Sequence, residues 1–295
     1  MAEFQRIQTE LKTSVNIILR GLGQIMLQEN AATGLLFLVG IFYGSLTMGL
    51  AAILAVCCGT LTAMVLGYDR TEIEQGIYGF SAALVGGALF LYFKPVPVVW
   101  ALVIVGSAVA TIVQHWFIKQ RIPVFTFPFV LVTWVILFAA HHAYPDILAV
   151  PGVGGANEGT DITFPLRGFG QVIFQDSVLA GSLFFIAVLI SSPAAALYAI
   201  AAAVIAGMLS SLFGMPEVEV GMGLFSYNAV LCAIVFAGSK LKDSFWVLIA
   251  VVLSVLISIL MFRHQLTQLT FPFVAATCIT LAIRTASGKF ADTAK

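Results

Sequence analysis

Three segments of this chain occur twice. Residues 20–29 (RGLGQIMLQE) return at 167–176 as RGFGQVIFQD, and residues 76–84 (GIYGFSAAL) return at 223–231 as GLFSYNAVL, each 147 positions later. Residues 126–130 (TFPFV) return letter for letter at 270–274, 144 positions later. A biased composition throws up such matches singly; three in one order, at nearly one offset close to half of the 295 residues, mean duplication.

Each copy holds five apolar runs. They fall at 32–48, 50–67, 76–93, 98–117 and 127–143 in the first half, and at 178–191, 193–213, 222–239, 244–262 and 270–285 in the second. A membrane helix needs about 20 such residues. With 60% apolar and 9% charged residues and a mean hydropathy of +1.04, one transmembrane domain absorbs nearly the whole chain. The expected fold is an all-α polytopic membrane protein.

An odd number of spans per copy obliges the second copy to enter the membrane from the opposite side, which is an inverted repeat. The distribution of basic residues tests the arrangement separately. With the N-terminus cytoplasmic, eleven of the fourteen Lys and Arg fall inside, and only Lys94, Arg167 and Arg263 fall outside. Both termini are therefore expected in the cytoplasm, with ten spans between them.

Segments 16–29 and 163–176, one before each set of five runs, are too short and too polar to cross. They are expected as two re-entrant half-helices, a form tolerated where protein or a water-filled cavity satisfies the backbone. The apolar spacing of Phe4, Ile7, Leu11, Val15 and Ile18 suits an amphipathic helix on the membrane surface. The organisation read from these features is an interfacial helix at 1–15, a first transmembrane repeat at 16–143, a linker at 144–162, a second inverted repeat at 163–285, and a cytoplasmic tail at 286–295. Charged residues close to the start, Glu3, Arg6, Glu10 and Lys12, argue against a cleavable signal.

Composition also excludes functions. A net charge of zero offers no basic field for nucleic acid. Cys57, Cys58, Cys232 and Cys278 lie in apolar runs without CxxC spacing and read as small hydrophobes. His141 and His142 are adjacent, His115 and His264 lie near span ends, and none has a histidine at the repeat position, so capping or interfacial roles are expected over metal or proton chemistry. No catalytic motif, metal site or cofactor site is found. The acidic Asp69, Glu72, Glu74, Glu217 and Glu219 are read in loops, and Glu29 and Asp176 at span entrances. Proteins that move ions usually keep charges within their spans, so a neutral solute moving passively is the leading expectation.

The repeated motifs supply the candidate contacts. Gln24 and Gln171 stand at one repeat position; a primary amide both donates and accepts, so the pair either holds a polar uncharged solute or braces the re-entrant turn. Phe80 and Tyr227, with Leu84 and Leu231 one turn later, form matched aromatic and aliphatic pairs, and Phe174 matches Leu27. Thr126 and Thr270 precede a proline near a helix start, where a hydroxyl either caps the helix or faces a solute. Gly76, Gly79, Gly86, Gly87, Gly221 and Gly223 read as close-packing positions between helices.

The motif GxGQ[IV]x[LF]Q before each first span, Gx[YF]x[FY][NS] opening each third, and TxPF opening each fifth resemble the urea transporter family over nearly the whole chain. The resemblance implies a channel-like urea facilitator, usually a homotrimer, with one pore per protomer between the two halves. Gln24, Ile25, Leu27, Phe80, Leu84 and Thr126 would line it from the first half, and Gln171, Val172, Phe174, Tyr227, Leu231 and Thr270 from the second. Two departures stand out: Leu27 where the family has Phe, and Ser81 where it has Asn, although Asn228 keeps the Asn in the second half. The alternatives are a channel for ammonium, ammonia or another small neutral amide, and a coupled secondary transporter.

Overall fold

The computed structural model describes residues 2–149 and 162–293, of which 2–4, 6, 7 and 288–293 are described by backbone alone. The Gly- and Pro-rich centre of the linker, the side chains of Phe4 and Ile7 and the last two residues of the tail lie outside the described residues. Two compact units, Met1–Gly152 and Val153–Lys295, make up the chain. Among the described residues there is no strand, only an isolated bridge between Phe93 and Leu148.

Unit 1 contains α1 (Ala2–Gly23), a 3-10 turn (Gln24–Met26), α2 (Ala31–Gly44), α3 (Leu46–Val65), α4 (Arg70–Glu74), α5 (Phe80–Tyr92), α6 (Pro97–Lys119) and α7 (Phe127–Ala143). Unit 2 contains α8 (Phe164–Gln171), α9 (Val178–Ser191), α10 (Pro193–Leu212), α11 (Glu217–Gly221), α12 (Tyr227–Phe236), α13 (Leu241–Arg263) and α14 (Phe271–Thr293). The order is the same in both. The start of each helix follows from local chemistry. The Asn30 side chain accepts from the Ala32 and Thr33 amides, Ser45 and Ser192 cap α3 and α10, and Pro97 and Pro193 occupy first-turn positions where a missing N–H costs least.

Each expected apolar run contains a helix, yet the helices differ in reach. Among the described residues only α3, α6, α10 and α13 are long and apolar enough to cross a membrane alone, and α1 with α2, bent by 76° at the break between them, forms a fifth candidate. At 1.5 Å per residue the 13 residues of α5 extend about 20 Å and the 10 of α12 about 15 Å, against a hydrocarbon thickness of about 30 Å. These two are the buried axes of their units. Every residue from Phe80 to Leu89 on α5 is buried, packed by α3, α6 and α7, while α12 packs on α10, α13 and α14.

Several expectations need correction. The boundary expected between 15 and 16 is absent: α1 is unbroken from Ala2 to Gly23, so the surface helix and the half-helix are one helix. Likewise α14 runs past 285 to Thr293 without a break. Residues 76–79 and 222–226 are turns instead of span, and the loops expected around the acidic residues contain the short helices α4 and α11, with Asp69 capping α4.

The duplication is written into the backbone itself. Among the described residues every positive φ has a counterpart: Leu27 (58°) with Phe174 (60°), Arg121 and Gln265 (both 56°), Phe125 and Leu269 (both 46°), Gly67 (67°) with Gly214 (70°), and Gly76 (79°) with Gly223 (77°). Left-handed backbone is disfavoured for non-glycine residues and persists where surrounding structure over-determines it. Side chains as unlike as Arg121 and Gln265 accept the same conformation, so the architecture imposes it on the residues.

Close backbone approach is the means. A Cβ at Gly34 would lie 1.7 Å from the Leu19 carbonyl oxygen, and one at Gly181 would lie 1.9 Å from that of Leu166. Gly34→Ala or Gly181→Ala should therefore force the hairpin of α1 on α2, or of α8 on α9, apart. Overpacking of this kind costs about 1–3 kcal/mol, to be read as a lowered Tm of the purified protein in detergent, with Gly221→Ala, at a glycine with nothing within 4 Å and no left-handed backbone, as the unpacked comparison.

Candidate functional site

In unit 1, α1 stops at Gly23 because its backbone meets two carbonyls: a Cβ there would lie 2.5 Å from the oxygen of Gln28 and 2.8 Å from that of Asn30. The chain tightens into the 3-10 turn, reverses at Leu27 in the left-handed region, and closes with Leu27 N–H donating to Gln24 O (3.0 Å) and Gln28 N–H to Gly23 O (3.1 Å). The buried Gln28 amide then donates to Met26 O at 2.9 Å. This turn rests on the irregular stretch ahead of α5. Gly76 comes so close that a Cβ would lie 2.4 Å from the Gly21 nitrogen, which a positive φ and a bare Cα permit.

Two side chains, one from α1 and one from the 3-10 turn, donate to carbonyls at the end of α4 and just beyond it. Arg20 Nη1 donates to Glu74 O and Gln24 Nε2 to Gln75 O, both at 3.0 Å. The helical ladder ends here, and buried carbonyls left without a partner would cost about 1–3 kcal/mol each. Unit 2 repeats the device. Gln171 Nε2 donates to Met222 O at 3.0 Å, Phe174 is the left-handed apex, Gln175 Nε2 donates to Ile173 O at 3.2 Å, and Gly223 meets the Gly168 nitrogen. Of the two roles open to the glutamines, bracing is therefore present in both units. Their amide oxygens accept no hydrogen bond among the described residues and point the remaining polarity of the group elsewhere.

The candidates sort into two sets within each unit. Ile25, Phe80, Leu84 and Thr126 are buried in unit 1, as are Val172, Leu231 and Thr270 in unit 2. Gln24, Leu27, Gln171, Phe174 and Tyr227 are half-exposed. α5, which opens on Phe80, contacts both the 3-10 turn that carries Ile25 and α7, whose N-cap is Thr126. In unit 2 the Tyr227 hydroxyl donates to the carbonyl of Leu269, the left-handed residue next to Thr270. Thr126 sits at the N-cap of α7 without a side-chain capping bond. Gly221, expected to pack tightly, has nothing within 4 Å of where its Cβ would be.

Sequence reasoning missed the polar partners of the third-run motif. Asn228, fully buried, donates through Nδ2 to Leu269 O (3.4 Å) and accepts at Oδ1 from Phe273 N–H (3.1 Å), so it ties α12 to the first turn of α14. Ser81 is too short for that reach. Its hydroxyl instead donates to Gln114 Oε1 on α6 at 3.2 Å, and the residue matching Gln114 in α13 is Ser258. A short and a long polar side chain have thus exchanged positions between the units: Ser81 with Gln114, Asn228 with Ser258. A glutamine late in the apolar run 98–117, opposite a serine in the other copy, is the signal that would have found this.

Charge is confined to the edge of the unit 1 half-site, where Arg20 and Glu29 lie 3.9 Å apart. In unit 2 the Arg167 guanidinium donates to the backbone carbonyl of Asp176. Among the described residues no three His, Cys, Asp or Glu side chains gather as a metal site. His141 and His142 contact the carbonyls one turn back, Leu137 O and Phe138 O, each at 2.8 Å.

Duplicated half-sites of this kind, one per unit, match a known family over most of the chain: residues 15–285 fit the sequence profile described as urea transporter. The chain belongs to the urea transporter family. It is 27% identical over 304 residues to urea transporter 1 of sheep (Ovis aries), an alignment covering 92% of this chain and 77% of that protein, and equally to urea transporter 1 of goat (Capra hircus). Urea transporter 1 of mouse (Mus musculus) is 26% identical over 242 residues, 75% of this chain and 62% of the mouse protein. Family membership makes this a multi-pass membrane transporter and not an enzyme.

The Asn228 link gives a structural test within this urea transporter. Asn228→Ala strips the buried Phe273 N–H of its acceptor, a loss of about 1–3 kcal/mol. A lower Tm is expected, together with faster hydrogen exchange in the first turn of α14 and little change in α7, whose unit relies on Ser81 and Gln114.

Proposed function

We propose that the chain is a passive, channel-like facilitator of urea, with the path built from the two half-sites. The observation that carries this is the matched pair of glutamine-braced turns, Gln24 on Gln75 O and Gln171 on Met222 O, each beside an aromatic at the start of a buried helix, Phe80 and Tyr227. Membership of the urea transporter family supports urea as the solute.

The chemistry of urea suits such surroundings. Urea is planar, donates through four N–H bonds and accepts at one oxygen, and giving up its water costs several kcal/mol unless other hydrogen bonds replace it. A row of carbonyl and hydroxyl oxygens along one edge of a slot would accept from the amide hydrogens, while apolar and aromatic walls exclude water and hold the plane. Binding must also stay weak enough for release. Gln24, Ile25, Leu27, Phe80, Leu84 and Thr126, with Gln171, Val172, Phe174, Tyr227, Leu231 and Thr270, are the residues assigned to that lining. The scarcity of ionisable groups in the apolar runs favours a neutral solute driven by its own gradient.

In this reading the ten apolar runs form ten spans in two inverted repeats, and a single narrow pore runs between the repeats. The chain assembles as a homotrimer in the cell inner membrane, surrounded by lipid, with one pore per protomer and both termini cytoplasmic. The basic residues counted in the sequence support that orientation.

Stopped-flow light scattering on proteoliposomes under an inward urea gradient, without ion gradients, tests the proposal. Fast, saturable urea flux without current or ion dependence is expected, and flux of ammonium in place of urea would overturn the solute assignment. Gln24→Ala and Phe80→Ala, inserted and assembled normally, should each slow urea flux. A contact of about 1 kcal/mol corresponds to about fivefold. Unchanged flux in a correctly inserted variant would remove that residue from the lining.

A further inference from the structure

A second polar assembly lies in unit 1, behind the turn that carries Phe80. Tyr78, 1% exposed, directs its hydroxyl at the Glu72 carboxylate on α4, and His115 Nδ1 on α6 lies 2.7 Å from the same hydroxyl. Tyr68 stacks on the His115 ring, with centroids 3.5 Å apart and planes within 5°. The Tyr78 carbonyl accepts from Thr111 Oγ1 at 3.2 Å. Tyr78 is three residues beyond Gln75, whose carbonyl receives the Gln24 amide, and two before Phe80. Tyr78 therefore lies on the short stretch of backbone that joins the Gln75 carbonyl, to which Gln24 donates, to Phe80 at the start of α5.

Nothing in the fold requires these groups. At the matching positions unit 2 has Phe225 for Tyr78, Ile259 for His115 and Met215 for Tyr68, and keeps only Glu219 for Glu72. Phe225 there packs edge-on against Phe262 at 5.3 Å, a dry contact in place of a hydrogen-bonded one. The same architecture thus exists in two versions within one chain, one that brings a tyrosine, a histidine and a carboxylate together and one that keeps only the carboxylate.

Proton accounting defines what the assembly does. The Tyr78 hydroxyl has one proton, and an ionised carboxylate only accepts, so Tyr78 donates to Glu72. His115 must then donate from Nδ1 to the Tyr78 oxygen, leaving Nε2 as its basic nitrogen. An open cleft lined by Tyr68, Asp69, Glu72, His115, Lys119 and Arg121 gives protons from solution access to the ring. An imidazolium there faces the Glu72 and Asp69 carboxylates, which attract it, the Tyr68 ring, which stacks on it favourably, and the Lys119 and Arg121 cations, which repel it. Protonation at Nε2 leaves Nδ1–H on the Tyr78 oxygen, and charge-assisted hydrogen bonds are roughly twice as strong as neutral ones, so the hold of His115 and Glu72 on the Tyr78 hydroxyl changes with the charge on the ring.

We propose that Tyr78 is a positioning residue for the unit 1 half-site, and that His115 makes its hold depend on pH, so that transport responds to acid on the face carrying the α3–α4 loop. The proposal rests on the transport reading above and adds its regulation.

The test is urea flux in oriented proteoliposomes, with pH varied between about 4 and 8 on one face at a time. Flux should change several-fold when the α3–α4 face is acidified and stay level when the other face is. Tyr78→Phe and His115→Ile, which install the residues unit 2 already carries, should abolish that dependence. Level flux on both faces in the unsubstituted protein, or dependence retained in both variants, overturns the proposal. A readout independent of flux is NMR of the protein with labelled tyrosine and histidine. The Tyr78 ring resonance should follow the His115 titration, and should not do so in His115→Ile. A Tyr78 resonance that ignores the titration overturns the positioning role, whereas absence of urea flux at every pH, with that coupling present, overturns the transport reading alone.

Discussion

Interrupting a helix inside apolar surroundings exposes carbonyls that water cannot reach, and the structure depends on how those carbonyls are satisfied. In each unit a short buried helix, α5 or α12, follows a glycine-pivoted turn, and a glutamine from the preceding half-helix donates to the last free carbonyl before the pivot. Arg20 serves a second carbonyl in unit 1. Non-helical backbone at membrane depth is tolerable only when protein or a wetted cavity meets its needs, and these side chains meet them. The tight glycines follow from the same requirement, because Gln24 and Gln171 reach their carbonyls only if Gly21 and Gly76, or Gly168 and Gly223, let two backbones touch.

A glutamine used as a brace still offers its carbonyl oxygen, so structural and solute-binding roles do not compete for one atom. That economy suits a passage for a neutral amide, where polarity must be present without charge. The two units hold it differently. Leu27 stands at one left-handed apex and Phe174 at the other, and Phe80 opens α5 where Tyr227, bonded to the Leu269 carbonyl, opens α12. Backbone conformation has been kept between the copies to within a few degrees in φ, while the polar chemistry around it has been redistributed.

The two polar exchanges show how far that redistribution goes. Ser81 bonds Gln114 on α6, whereas Asn228 bonds the Leu269 and Phe273 backbone and leaves the Ser258 hydroxyl, at the position matching Gln114, without a hydrogen-bond partner among the described residues. Tyr78, His115 and Tyr68 build in unit 1 a hydrogen-bonded cluster that unit 2 makes apolar. A duplicated architecture tolerates this because helix packing constrains volume more tightly than it constrains which atom in a contact is polar.

Much was legible from the sequence. The duplication, the ten apolar runs, the membrane class and the family all follow from repeated letters and hydropathy, because lipid demands long apolar segments and a copied fold keeps its glycines and turn residues. Gly76 and Gly223 were read from the sequence as close-packing positions, but that they meet Gly21 and Gly168 of the GxGQ motifs was not. Other features were settled only in three dimensions. That α1 is one helix through residues 15 and 16, that α5 and α12 begin after turns, and that Gln24 and Gln171 donate to Gln75 and Met222 all depend on groups about 50 residues apart in sequence. His115 looked like an interfacial residue at a span end until packing set it between two tyrosines from other segments. Hydropathy is a local property of the chain, so the sequence alone determined which segments are apolar and where the pattern repeats. Hydrogen bonds between distant segments exist only once the helices have packed, so the tertiary structure alone decided which polar side chain satisfies which buried carbonyl.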